Sequence, residues 1–342
     1  MKRLAAASIV SFLVLVSSLE AWANLTPTKV LGGSKIDQLN PAANDSYLTW
    51  NQNSTAKPNH YDAYSSTLPL STPVKMNRSN TAGYSAGITG NTTESIYQEV
   101  ENRASNLYMF DLATHVRTDP PVGVDTDAWE WAPSISPGFI LFGRSPAVFR
   151  PNAPDKVMLY DRNTQTTTKL ASLPLGCLCI VPSQVSDQYA TWYTCTPHCR
   201  VWYYDIGAAK VHRLKNPLGF EQYSPSIDGA TGTLYYIQSH NACGAAVKLV
   251  RWTIGTPVSS TVVVSKMPSG MDISTTYDAI DLGGNDNIYF DPYKCSGSYY
   301  SDIYEVAGAN TAAATKLPLR TSVTPGSPKM HSRMGALPAP LR

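Results

Sequence analysis

The chain has 342 residues, with 27 Lys and Arg against 25 Asp and Glu, a formal net charge of +2 and only 15% charged residues. With no basic stripe and no acidic run, this balance excludes a protein driven electrostatically onto nucleic acid or an anionic membrane surface. Its 20 Tyr, 7 Trp, 25 Pro and 22 Gly favour strands joined by tight turns.

The N-terminus opens with Lys2 and Arg3, continues with the apolar run LAAASIVSFLVLVSSL and reaches AWA at 21–23. A basic start, a short apolar stretch and a small-x-small end predict a secretory signal peptide over 1–23, cleaved after Ala23. The run is shorter than the roughly 20 residues of a membrane-spanning helix. An oxidising compartment, secreted, extracellular or periplasmic, is therefore expected, and all six cysteines lie beyond residue 23.

From there a repeat runs along the chain. Six β-rich segments end in aromatics at Trp50, Tyr97, Phe142, Trp192, Tyr236 and Phe290, spaced by 47, 45, 50, 44 and 54 residues. A second series follows them: DAYSST, NLYMFD, KVMLYD, RVWYYD, KLVRWT and DIYEVA. Its second positions are apolar, namely Ala63, Leu107, Val157, Val201, Leu249 and Ile303. A preceding and a trailing short segment bring each unit to four strands. Four period-2 strands repeated at this interval predict an all-β fold, a six-bladed β-propeller of four-stranded antiparallel blades occupying 24–320 as one domain. The ring must mask its sheet edges. TPTKVLG at 26–32 and ATKLPL at 314–319 compete to complete the last blade. Residues 321–342 are rich in Pro, Ser and Gly without apolar periodicity, and a disordered tail is expected.

The stretches WAPSISPGFILFGR…KVMLYDRNTQTTTKLASL and SDIYEVAGANTAAATKLP resemble the TolB-type, WD40-like (PD40-type) propeller repeat. Its pattern is W-S-P-D-G, a buried strand, D-I-Y and a closing R/K-L-T. The resemblance covers residues 38–320, and only the third unit keeps Ser136-Pro137-Gly138, without the Asp. It implies a six-bladed propeller with a binding or scaffolding role in the periplasm or outside the cell. A TolB-type N-terminal domain is not expected ahead of the repeat.

In a meander of alternating strands, the crossovers between blades and the second-to-third strand hairpins open on one face. All six cysteines fall there. Cys177 and Cys179 lie in the crossover from blade 3 to blade 4, Cys195 and Cys199 in the blade 4 hairpin, and Cys243 and Cys295 in the hairpins of blades 5 and 6. Six cysteines allow 15 connectivities. Cys243–Cys295 is the expected bridge between equivalent hairpins, and the other four pair locally or crosswise. CLC and CTPHC lack the paired CxxC spacing of structural zinc sites, so neither metal nor cofactor is expected.

The same face carries the residues expected to ring the channel mouth: Trp129, Glu130, Trp131, Glu221, Gln222, Tyr223, Tyr277 and Asp278. Aromatic faces beside carboxylates and amides suit a sugar ring or another polar ligand. The competing reading makes Trp131, like Tyr84 and Tyr223 at the same offset, a wedge between blades. No GxSxG, HExxH, Walker or GxGxxG motif occurs, and the six histidines are scattered, so catalytic residues stay unassigned. The expected function is a monomeric binding or scaffold protein for a glycan, peptide or envelope protein. Its alternative is a glycoside hydrolase or lyase pairing Glu130 with Asp278 or Glu221 at that mouth. A scaffold using only the outer strands is the third possibility.

Overall fold

The computed structural model describes residues 28–31, 37–54, 57–89, 92–101, 104–146, 154–173, 180–196, 198–215, 219–239, 248–256, 261–264, 272–273, 280–283, 287–293 and 303–306. The expected signal peptide, the tail, Cys177, Cys179, Cys243, Cys295, Tyr277 and Asp278 lie outside these residues, as does ATKLPL.

Six four-stranded antiparallel sheets form the six-bladed propeller. Blade 1 takes Gln38–Ala43, Tyr47–Ser54, Lys57–Thr67 and Val74–Lys75, as strands A to D from the axis outward. Blade 2 takes Ala82–Gly87, Glu94–Glu101, Ala104–Asp111 and Val116–Thr118, and blade 3 Trp129–Ile135, Phe139–Ser145, Asp155–Asp161 and Thr166–Leu173. Blade 4 takes Ile180–Val185, Tyr189–Cys195, Cys199–Asp205 and Lys210–Arg213, and blade 5 Glu221–Asp228, Thr233–Ser239, Lys248–Thr253 and Thr261–Val264. Blade 6 has Ile280–Gly283, Asn287–Phe290 and Ile303–Val306, and its outermost strand is the N-terminal Thr28–Leu31. Of the two candidates for that place, TPTKVLG supplies the strand, with Thr28 opposite Glu305 and Leu31 opposite Ile303. Strand A of each blade packs against its neighbours around the ring, closing between blades 6 and 1.

The repeat aromatics are the core. Trp50, Tyr97, Phe142, Trp192, Tyr236 and Phe290 are all buried, each inside its own strand B. Burying one such side chain contributes about 2–3 kcal/mol.

Strand A is kinked at a fixed point. In blades 1 to 5 its register against strand B shifts between Leu39 and Ala42, Tyr84 and Gly87, Trp131 and Ser134, Pro182 and Val185, and Tyr223 and Ser226. In three of these, a non-glycine residue takes the left-handed conformation just before a proline: Asn40 (φ 51°), Ala132 (φ 44°) and Ser224 (φ 43°). Pro41, Pro133 and Pro225 have no partner on strand B, so their missing N–H groups leave no gap in the ladder. A bulge is where a strand can re-aim its side chains. Beyond it, Ser134 Oγ accepts from the Val185 amide of blade 4 at 3.2 Å, and Gln184 Oε1 accepts from Ser226 Oγ of blade 5 at 2.7 Å. The blades are thus stitched through side chains near the axis.

A second stitch lies in strand C at the six apolar residues of the second repeat series, Ala63, Leu107, Val157, Val201, Leu249 and Ile303, all fully buried. In blades 3, 5 and 6 the outer strand reaches this point, pairing Val157 with Ala171, Leu249 with Val264 and Ile303 with Leu31. In blades 1, 2 and 4 strand D stops short. There a side chain from the following crossover or strand A takes over. The Ala63 amide donates to Asn77 Oδ1 at 2.9 Å, the Leu107 amide to the Asp125 carboxylate, and the Val201 amide to Gln222 Oε1 at 3.4 Å.

Closure by the N-terminal strand gives a direct test. A chain beginning at residue 24 and one beginning at residue 37 are compared by urea unfolding and size exclusion. The shorter chain uncovers Ile303 and the edge of blade 6, so it is expected to lose at least about 1–3 kcal/mol, the cost of one unsatisfied buried amide, and to self-associate. Equal midpoints would place the closing strand elsewhere.

Candidate functional site

The crossover face over blades 3 to 5 collects the starts of strands A and the tip of the blade 4 hairpin. Side chains alternate along a strand, and that alternation divides the expected site residues. Trp129 and Trp131 face one seam and Glu130 the other. Trp131 is buried in the core shared with Val181, Tyr193 and Val201 of blade 4. It lies flat over Gly143, its partner on strand B, where an added Cβ would stand 2.4 Å from the indole. Gly143 is required there because the ring occupies the space of a side chain. Trp131 is therefore a wedge between blades, as Tyr84 and Tyr223 at the same offset also pack into seams or against neighbouring rings.

Glu130 and Gln222 occupy equivalent positions, and Gln38 is their counterpart in blade 1. The sequence reading set Glu130, Trp131 and Gln222 around the channel mouth; the structure turns their side chains into the seams. Glu130 is 0% exposed. Its Oε1 accepts from Thr126 Oγ1 at 2.6 Å and from Arg144 Nε at 2.9 Å. Burial pushes its carboxyl up to about 7, with Thr126 and Arg144 pulling the other way. Arg144 spans the seam. Its Nη2 donates to the carbonyls of Gly123 and Val124 at 2.9 and 3.1 Å, fastening the crossover to blade 3. Gln222 serves the Val201 amide.

What remains accessible is a smaller group. Trp129, Glu221 and Tyr223 are partly buried at the starts of strands A in blades 3 and 5. Between them stands the hairpin Cys195–Cys199, closed by a disulfide between its two end residues. Local pairing is thus the outcome for Cys195 and Cys199. His198, its side chain 59% exposed, donates from Nδ1 to Glu221 Oε1 at 2.8 Å, since a carboxylate can only accept. The Cys199 amide donates to Glu221 Oε2. Arg200 Nη1 lies 3.7 Å from that oxygen and donates to the carbonyls of Cys199 and Phe220 at 2.7 and 3.1 Å. Glu221 is thereby fixed by three neighbours, and the imidazole keeps Nε2 for other partners. Burial and the nearby Glu221 push the Tyr223 phenol up, so it stays a neutral donor. Tyr193 packs edge-on against it at 6.1 Å.

Sequence reasoning missed His198, Arg144, Asp125 and Asn77. Two of them carried a signal. His198 sits inside CTPHC, the tip of a hairpin on the expected face. Arg144 follows the strand B aromatic by two, which sets it opposite Glu130 once the register is known.

No family model matches the sequence, and no curated protein matches it. Solved structures match the fold at low identity. An oligogalacturonate lyase from Vibrio parahaemolyticus is 11% identical, with a TM-score of 0.53, covering 88% of this chain and 83% of that one. The β-propeller domain of the Trilobed protease from Pyrococcus furiosus is 10% identical, with a TM-score of 0.50, covering 80% and 96%. TolB from Acinetobacter baumannii is 15% identical, with a TM-score of 0.46; 80% of this chain spans 63% of that protein, less than two thirds of its length. At this identity the likeness is one of fold, a six-bladed β-propeller.

The seam assignments predict stability effects. Gly143→Val drives a side chain into the Trp131 ring and is expected to cost about 1–3 kcal/mol. Arg144→Ala leaves Glu130 buried without its cation and is expected to cost about 3 kcal/mol. Both are read as shifts of the urea midpoint, and an unchanged midpoint for either would remove that residue from the seam.

Proposed function

We propose that the chain is a binding or scaffold protein of the cell envelope or extracellular space, and that it contacts its ligand on the crossover face over blades 3 to 5. Trp129, Glu221 and Tyr223 make the contact, and Tyr277 and Asp278, which lie outside the described residues, are proposed to join them. Glu130, Trp131 and Gln222 hold this surface from beneath. One observation carries the reading: Glu221 is oriented by His198, by the Cys199 amide and by Arg200 on a disulfide-closed hairpin, while strands A on either side offer aromatic side chains. A preset acceptor between aromatic faces suits a glycan, whose C–H surface stacks on rings and whose hydroxyls need fixed partners. A peptide or an envelope protein is the other ligand class such a face accommodates. The apolar N-terminal run after Lys2 and Arg3, together with the disulfide, supports export.

The hydrolase or lyase reading needs a carboxyl pair that reaches the substrate. Glu130, common to both pairs, is fully buried behind Arg144, and this favours binding over bond cleavage.

The test incubates the protein with a panel of cell-wall and plant polysaccharides, following depletion of protein onto each polymer and soluble products in the same tubes. Retention without products is expected, weakened at least about tenfold, or 1.4 kcal/mol, by Trp129→Ala and by Glu221→Gln with unchanged melting. Products lost in Glu221→Gln would make the protein an enzyme. No retention on any polymer would shift the search to protein partners.

A further inference from the structure

The crossover from blade 2 to blade 3 is held unusually firmly for a surface loop. The Val124 amide donates to the Pro121 carbonyl at 3.1 Å, Gly123 takes the left-handed conformation (φ 97°) that this turn requires, and Thr167 Oγ1 donates to the Gly123 carbonyl at 3.3 Å. With the two bonds from Arg144, the turn is fixed while its tip, Val122, stands 96% exposed.

Behind the turn the charges do not balance. Asp125 and Glu130 both face a single guanidinium, that of Arg144, and Asp119 acts on Asp125 from the start of the crossover. From blade 2 the neighbours are neutral: Ser105 Oγ donates to the Glu130 carbonyl at 2.5 Å, and the Leu107 amide donates to Asp125. Each carboxyl has partners on one side only. Glu130 Oε1 has Thr126 and Arg144, yet Oε2 is buried with no hydrogen-bond partner among the described residues. Asp125 accepts from the Leu107 and Thr126 amides, yet Oδ1 is likewise buried without one. Two buried acceptors and no donor is a costly arrangement. One proton on the pair would replace one buried charge by a neutral carboxyl and bring the charge of the pair to match Arg144.

We propose that the coupled carboxyls Asp125 and Glu130 together hold one bound proton, and that this proton forms part of the latch holding the 119–128 crossover, with its exposed Val122, against blade 3. The inference stands apart from the ligand reading above. Its sign follows from the direction of the shifts. Burial raises Glu130 to about 7, and burial together with Asp119 raises Asp125. A carboxyl raised on folding stabilises the closed form fully below its ordinary value, and that contribution fades as pH climbs through the raised value. The crossover is therefore tight in acid and looser at neutral pH, and Trp129, which precedes Glu130, rides on the same strand start.

Hydrogen exchange of the 119–128 segment, read by mass spectrometry and corrected for the intrinsic exchange rate, tests this from pH 5 to pH 9. In the full chain, opening of the segment is expected to rise by up to about tenfold per pH unit between pH 5 and 7, the slope of one proton, and to level off above. Glu130→Gln supplies its own N–H donor at that place, so its segment should exchange independently of pH. Strands of blade 4 should show no slope in either protein. The same slope in Glu130→Gln, or none in the unaltered chain, overturns the proposal. Should the variant not fold, ¹³C carboxyl titration of the unaltered chain decides. Titration of Glu130 near neutrality supports the bound proton, while titration in the ordinary carboxylate range means that a buried water fills the place and overturns it.

Discussion

A buried backbone amide at the apolar repeat position of strand C, Ala63 in blade 1 and Ile303 in blade 6, must find an acceptor in every blade, and the way each blade meets this requirement organises the molecule. An uncapped buried amide costs about 1–3 kcal/mol, and the position recurs six times. Where the register of strand D carries it that far, as in blades 3 and 5, the sheet itself extends to the position. Blade 6 uses chain from the N-terminus, so the requirement there is also what closes the ring. In blades 1, 2 and 4 the outer strand ends before the position, and they borrow Asn77, Asp125 and Gln222 from the next crossover or the next strand A. Capping and blade-to-blade attachment are then the same interaction.

This explains where the polar residues of the crossover face went. Once strand A begins at Trp129 and at Glu221, alternation alone sends Glu130 and Gln222 into a seam, and the seam has work for both. Gln222 caps an amide. Glu130 anchors Arg144, which in turn grips the crossover that delivers Asp125 to the Leu107 amide. Glu221, one residue earlier in its strand, stays at the rim and is met there by the Cys195–Cys199 hairpin. Structural and surface-facing carboxylates are thus separated by one residue.

How much of this the sequence disclosed follows from the range of the interactions. The period was legible because each unit repeats a buried aromatic and an apolar residue, and both series are buried as the spacing implied. The wedge reading of Trp131 was available from the equivalent offsets of Tyr84 and Tyr223. Closure was not legible, because TPTKVLG and ATKLPL are equally good strands and only the pairing of Leu31 with Ile303 distinguishes them. Nor was the fate of Glu130. Its partner Arg144 lies across a hairpin with a bulge, and the residues preceding Ile135 read as crossover rather than strand. His198 looked like one scattered histidine because its partner Glu221 belongs to the next blade.

The most direct measurement of the capping rule is amide exchange by NMR at Ala63, Leu107, Val201 and Val157 in the unaltered chain and in Asn77→Ala, Asp125→Ala and Gln222→Ala. The account predicts that each substitution releases the amide of its own blade alone, Ala63, Leu107 or Val201 in turn. Val157, which faces Ala171 of its own outer strand, should stay protected throughout. Unchanged protection in all three variants, or loss at every position together, would contradict it.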